Sequence, residues 1–213
     1  MSDPKRERDI WAVIPAKPLA EAKSRFGLDR EQRQAIAQDF LLRVLQVVRG
    51  AIPARNAIVV SRDEDILAIA RALGLRALRE KAGGDLNDAL GAAAVYAQAR
   101  GAVGVLSVFS DLPYLLAEDL EAMIAAFDGD NLVIAPDEDG AGSNALLMRP
   151  RAVPYRHGHG SFWRHIEAAQ DKQLAFAVVA RAGLMRDVDT PEQLSAFVAN
   201  SVVLAKRDLH FHA

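Results

Sequence analysis

The chain has 213 residues, about half of them apolar and a quarter charged, with a formal net charge of −2. That balance describes one globular domain with a sizeable core, and it removes the electrostatic ground for non-specific binding to nucleic acid or to an anionic membrane. No cysteine is present, which excludes disulfides, thiolate metal sites and cysteine nucleophiles.

Met1 to Asp9 is charged and leads into a short apolar strand, unlike a signal-peptide core. No apolar run approaches membrane-spanning length, so a cytoplasmic protein is expected. Ile10–Ala16 reads as a buried strand, followed by a polar loop with Lys17, Lys23 and Arg25. Asp29–Val48 carries apolar residues at helical spacing. Ala57–Ser61 predicts a second buried strand, and Asp63–Leu73 a helix that Gly74 ends. A short strand at Leu75–Leu78 precedes a loop over Lys81–Asp85. Leu86–Arg100 predicts a helix, Val103–Phe109 a strand and Ala117–Phe127 another helix. Strands at Leu132–Ala135 and Ala145–Met148 flank a Gly-Ala-Gly-Ser-Asn loop. Ser161–Gln170 reads as a helix, Ala175–Ala180 as a strand and Thr190–Leu204 as the last helix. Strands separated by helices imply right-handed crossovers, hence a single α/β domain over 1–213 with a mostly parallel, mixed sheet and helices on both faces. The polar stretch 206–213 is expected to be a flexible tail.

In open parallel sheets ligands sit beyond the carboxyl ends of the strands. Asp111 of Ser110-Asp111-Leu112-Pro113 stands at such an end, where a carboxylate either reaches an ion or starts a turn. In Asp187-Val188-Asp189-Thr190-Pro191-Glu192-Gln193, Thr190 and Gln193 form a capping box and Pro191 suits the first helical position. Asp187 and Asp189 therefore point the same way if extended, and two adjacent carboxylates call for a cation such as magnesium. The first loop lacks the glycines of a phosphate-cradling loop. Lys17, Lys23 and Arg25 are available to neutralise a triphosphate through side chains, unless they are solvated surface. Ser143 and Asn144 sit in a glycine-rich connection. Ser161, after Gly160, is a candidate N-cap whose free amides suit an anion. His157, His159 and His165 lack zinc-helix spacing, and His165 falls on the Ser161 face as a buttress. Asn87 is either a cap or a reader of a base edge.

The pieces IPAKPLAEAKSRF, LNDAL, SDLPYL, GAGSNALLMRP, HGHGSFWRH and DVDTPEQL lie in order within residues 12 to 197. Together they resemble the guanylyltransferases that make a precursor of coenzyme F-420 from GTP and a small phosphorylated acid. The resemblance implies a nucleotidyltransferase fold, and it implies magnesium held by Asp111, Asp187 and Asp189, with Asp111, Asp189 and Lys23 at the chemistry. It implies phosphate contacts from Lys17, Lys23 and Arg25 beside Asn87, and places the acid against Ser143, Asn144, Gly160 and Ser161. The partners implied are GTP and 2-phospho-L-lactate, phosphoenolpyruvate or 3-phospho-D-glycerate, on a monomer or homodimer without nucleic acid or membrane. Two departures fall near the acid: Ala141 and Ser143 where the family has glycine and threonine, and His157-Gly158-His159-Gly160-Ser161 where it has Phe-Gly-Pro-Gly-Ser. An attacking phosphate oxygen is already ionised, so no general base is required, and metal plus fixed cations offset the repulsion of two anions. The alternatives are a nucleotidyltransferase for another phosphorylated acceptor, or a non-catalytic nucleotide-binding module.

Overall fold

The computed structural model describes the backbone of residues 9–210 and the side chains of residues 9–200. Seven strands form one sheet in the order β3-β2-β1-β4-β6-β5-β7. They are β1 (Ile10–Pro15), β2 (Ala57–Ser61), β3 (Arg76–Arg79), β4 (Gly104–Val108), β5 (Leu132–Pro136), β6 (Ser143–Met148) and β7 (Phe176–Val178). The helices are α1 (Arg30–Ala51), α2 (Glu64–Ala72), α3 (Leu86–Gln98), α4 (Ala117–Ala126), α5 (Ser161–Asp171), α6 (Ala182–Met185) and α7 (Pro191–His210). Among the described residues only β6 runs against its neighbours, pairing antiparallel with both β4 and β5.

The central strands are buried along their whole length, which is why they read as continuous apolar runs and not as alternating ones. Alternation still decides which face each side chain serves. Ile10, Ala12 and Ile14 pack with Leu41, Val44 and Leu45 of α1, Ile66 of α2 and Leu120 of α4. Trp11 and Val13 point the other way, into Leu90, Ala93 and Ala94 of α3. Further along that second face, Leu132, Ile134, Leu146 and Met148 meet Phe162 and Ile166 of α5. Each such large apolar side chain contributes about 1.5–3 kcal/mol on burial.

Several boundaries differ from the sequence reading. Strand β6 starts at Ser143, so Ser143 and Asn144 belong to a strand and not to the loop. Asp137 folds the hairpin tightly by accepting the amides of Ala141 (2.8 Å) and Gly142 (2.6 Å). The N-cap of α5 is Gly160, at φ 70°, and not Ser161. The edge strand β7 has three residues in place of the six expected, and the short α6 has no apolar period to announce it. The tail expected over 206–213 has its side chains outside the described residues, and the backbone is helical as far as His210.

β1 sends its chain to β2 on one side and has β4 on the other. The order therefore reverses between β1 and β4, and a crevice opens beyond their carboxyl ends.

Candidate active site

The crevice is a cleft of about 600 Å³ lined by the loop after β1, the ends of β2, β3 and β4, the start of α3, and Asp187 and Asp189 before α7. Of the residues singled out from sequence, Lys17, Lys23, Arg25, Asp111, Asn144, Asp187 and Asp189 line it. Asp111 follows β4, where Leu112, fully buried, anchors the exit of the strand. The Asp187–Asp189 segment lies against it, since Val188 donates its amide to the carbonyl of Asp111 at 3.2 Å. Val188 buries its side chain against Phe26, Phe40 and Phe197, which turns the flanking aspartates toward the cleft. Gln193 Oε1 accepts the amides of both Asp189 (2.8 Å) and Thr190 (2.9 Å), and Thr190 Oγ1 accepts that of Gln193 (3.3 Å). The capping box therefore fixes the aspartate-bearing backbone as well as the helix.

Lys23 draws these elements together. Its ammonium donates to the Val188 carbonyl at 2.6 Å, to Asp189 Oδ1 at 2.8 Å and to Asp111 Oδ2 at 3.3 Å. The side chain is 7% exposed, and the rings of Phe26 and Phe40 stand 5.8 Å from Nζ. This partly apolar surround strengthens the ion pairs relative to open water. Lys23 also sits at φ 54°, a left-handed conformation that costs a non-glycine residue about 1 kcal/mol. The three acceptors hold it there, and strain so maintained is characteristic of functional positions. Asp187 is outside this web. Burial, then the charges of Asp111, Asp189 and Asp137, push its carboxyl up to about 6. Three carboxylates are thus close enough to repel one another while one lysine offsets two of them. Among the described residues no three acidic or histidine side chains converge, as placed, on a common ion position.

The residues expected to hold the acid are arranged differently. Ser143 and Ser161 are 2% exposed and bonded to each other, Oγ to Oγ at 3.0 Å, with the Ser143 amide donating to Ser161 Oγ at 3.0 Å. His165, fully buried, accepts the Arg156 amide at Nε2 (2.9 Å), so Nδ1 carries the hydrogen toward Ser143 Oγ at 3.1 Å. His157 Nδ1 stands 3.4 Å from the same hydroxyl. Burial holds both imidazoles neutral, lowering His165 to about 4 and His157 to about 3. These four side chains form a polar core beneath the loop and not a lining of the cleft. The amides of Ser161 and Phe162 are also engaged, by the carbonyls of Gly158 (3.0 Å) and Ala141 (3.1 Å). From this region the cleft is lined by Gly158 and by Asn144, whose amide donates to the Met185 carbonyl at 3.2 Å. Asn87 is likewise committed, accepting the His157 amide at 2.7 Å and donating back to its carbonyl at 3.4 Å. It clamps the 157–161 loop to α3.

Arg62 and Glu80 line the cleft and were not singled out from sequence. Both stand just past the carboxyl ends of predicted strands, so the rule that located Asp111 also locates them. Arg62 is ion-paired with Glu21 across the cleft mouth.

Known proteins place the chain independently. The solved structure described as a nucleotide-diphospho-sugar transferase from Desulfovibrio desulfuricans G20 superposes with a TM-score of 0.71 at 17% identity, over 85% of this chain and 83% of that one. A 4-diphosphocytidyl-2C-methyl-D-erythritol synthase from Anaerococcus prevotii gives 0.59 at 15% identity, over 92% and 96%. At such identities they share the fold. Sequence relatives are nearer: a phosphoenolpyruvate guanylyltransferase of Rubrobacter xylanophilus is 38% identical over 91% of this chain and 96% of its own length. A 2-phospho-L-lactate guanylyltransferase of Methanothermobacter thermautotrophicus is 33% identical over 88% and 83%. The profile of one family, described as guanylyl transferase CofC like, matches residues 10–201, and the chain belongs to that family.

Proposed function

We propose that this chain transfers the guanylyl group of GTP to the phosphate of a small phosphorylated carboxylic acid, with phosphoenolpyruvate the first candidate, and that it does so with magnesium in the coenzyme F-420 pathway. The observation that carries the reading is the joining of three separate segments, the β1 loop, the β4 end and the start of α7, through one lysine at the switch point of a nucleotidyltransferase sheet. Family membership supplies the group transferred, and the relatives' names supply the acceptor class.

A phosphate oxygen of the acid attacks the α-phosphorus, a new P–O bond forms, and pyrophosphate leaves with the electrons of the bond it gives up. The attacking oxygen is ionised at neutral pH, so the cleft has no proton to remove. Its task is to hold two anions together. Lys17 and Arg25, exposed on the rim, draw in the triphosphate, and Arg62 adds a third cation from the end of β2. Asp111, Asp187 and Asp189 are hard oxygen donors whose mutual repulsion fits a divalent cation, and they are the residues that would hold magnesium. Bound there, the ion supplies neutralisation of charge on the reacting phosphates. Lys23 keeps Asp111 and Asp189 side by side at the floor of the cleft.

Pyrophosphate release, followed with GTP against phosphoenolpyruvate, 2-phospho-L-lactate and 3-phospho-D-glycerate, tests the reading. Release with one of these acids, abolished by EDTA and restored by magnesium, is the expected result. Release that survives EDTA would overturn the metal requirement, and no release with any acid despite GTP binding would favour a non-catalytic module.

A further inference from the structure

Among the described residues six carboxylates line the cleft, and five have an evident task. Glu21 pairs with Arg62, Asp85 caps α3 by accepting the Asp88 amide at 2.9 Å, and Asp111, Asp187 and Asp189 form the acidic centre. The sixth, Glu80, has none. It is half-buried, and its backbone N–H donates to the Ser61 carbonyl at 3.0 Å, which pins the chain there. Among the described residues no hydrogen bond or ion pair engages its carboxylate. Arg79, its neighbour in the chain, is paired with Glu64, and Arg62, after the adjacent strand, with Glu21.

Its position is as telling as its freedom. Glu80 follows β3, and two strands, β2 and β1, separate β3 from β4, which leads to Asp111. With neighbouring strands about 4.8 Å apart, the β3 end lies about 14 Å from the β4 end. That is the scale of a nucleotide laid across the strand ends, with its phosphates at Asp111 and its base at β3. The charges run the same way. Lys17, Lys23, Arg25 and Arg62 belong to the β1 and β2 ends, while a bare carboxylate at the β3 end repels phosphate. Gly84, Leu86 and Ala89, at the start of α3, line the same cleft and offer apolar surface to a flat ring.

An ionised carboxylate is an acceptor only. Among the common bases guanine alone presents two adjacent donors, N1–H and the 2-amino group, on one edge. Adenine and cytosine set a ring-nitrogen lone pair beside their amino group, which a carboxylate opposes, and uracil flanks its single donor with two carbonyl oxygens. We propose that Glu80 reads guanine, accepting from N1–H and from the 2-amino group through its two carboxylate oxygens. The inference rests on the guanylyl-transfer reading and adds to it the residue that selects the base.

Inosine triphosphate lacks the 2-amino group and is otherwise the same nucleotide, so it isolates one of the two bonds. The wild-type chain should favour GTP over inosine triphosphate by about 10- to 100-fold in kcat/KM, the range for a hydrogen bond to a charged group. Glu80→Ala should lose GTP efficiency by at least that factor and bring the GTP-to-inosine-triphosphate ratio close to one. Glu80→Gln, which keeps the volume and one acceptor, should fall between them and serves if the alanine variant folds poorly. A ratio unchanged in both variants would overturn the proposal. So would a loss confined to the comparison of GTP with 2′-deoxy-GTP, which would assign Glu80 to the ribose. Wild-type turnover of GTP with an unchanged ratio defeats this inference alone. Absence of any GTP turnover defeats the parent reading and this one with it.

Discussion

Lys23 combines a strained backbone with a nearly buried ammonium that three acceptors share. Removing the ammonium leaves Asp111 and Asp189 facing one another without compensation, in the place where two anionic substrates must meet. Lys23→Ala should therefore lower kcat by about 100-fold or more, the cost of deleting one preorganised charge at such a site, as read by steady-state pyrophosphate release. Asp187 carries the opposite imbalance. Its carboxyl is raised to about 6 from 3.8, so the folded chain holds a proton there that the unfolded chain has already lost. Ionised Asp187 thus costs stability above pH 6, and that cost disappears as pH falls through 6 toward 3.8. Asp187→Asn should raise the melting temperature of the metal-free chain at pH 7.5 by about 2–4 °C, keep about half of that advantage at pH 5, lose it as pH falls to 3.8, and lose magnesium-supported turnover. These two roles differ in how far sequence showed them. The alternation Asp-Val-Asp was enough to turn both aspartates to one side. That Lys23, and not Lys17 or Arg25, is the cation driven among them depends on a left-handed turn with no glycine at that residue to signal it.

At the scale of elements, the N-terminus of α7 and the 157–161 loop set the precision of the site. Gln193 holds the amides of Asp189 and Thr190, so it caps the helix and aims a cleft residue in one contact. Gln193→Ala should cost about 1 kcal/mol of stability and lower kcat although Asp189 itself is intact; an unchanged kcat would show that the aspartate is held by Lys23 alone. The loop is fastened from beneath by Ser143, Ser161, His157 and His165, and sideways by Asn87. The histidines have folded-state values near 3 and 4, below the ordinary 6.5, so the unfolded chain takes up protons first. Stability is fully present above about pH 6.5 and is lost as pH falls toward the folded values, by about 1–2 kcal/mol per histidine between pH 7 and 5. His157→Phe keeps a ring against Phe109 and Tyr155 while removing one titrating group, so its melting temperature should decline less steeply with acidification than that of the wild type.

This loop shows where reading from sequence stops. Ser143 and Ser161 are small polar residues beside glycines, the pattern of a ligand loop and equally of a buried knot. Only the pairing of β6 between β4 and β5 decides, because it turns Ser143 inward to hydroxyls and imidazoles 14 to 22 residues away. The central strands were legible because burial on both faces writes them as apolar runs. β7, an edge strand with Phe176 and Val178 exposed, and α6, one turn long, carry no such signature.

For the molecule as a whole, the strand order makes the site possible. The reversal between β1 and β4 opens the crevice, and α7 then returns to lay Asp187–Asp189 against Asp111. Sequence could place each of these acidic residues at an element boundary. It could not bring residues 23, 111 and 189 within bonding distance, because that closeness follows from topology and not from local pattern. The same topology brings Asn144 and Gly158 to the cleft from the other side of the sheet's switch point. The most direct measurement is the mass of the product formed when the purified chain is incubated with GTP, phosphoenolpyruvate and magnesium. A guanylylated acid carrying both phosphates' phosphorus, formed one for one with pyrophosphate, is the predicted result. Intact GTP and acid after prolonged incubation, with 2-phospho-L-lactate and 3-phospho-D-glycerate equally unreacted, would contradict it.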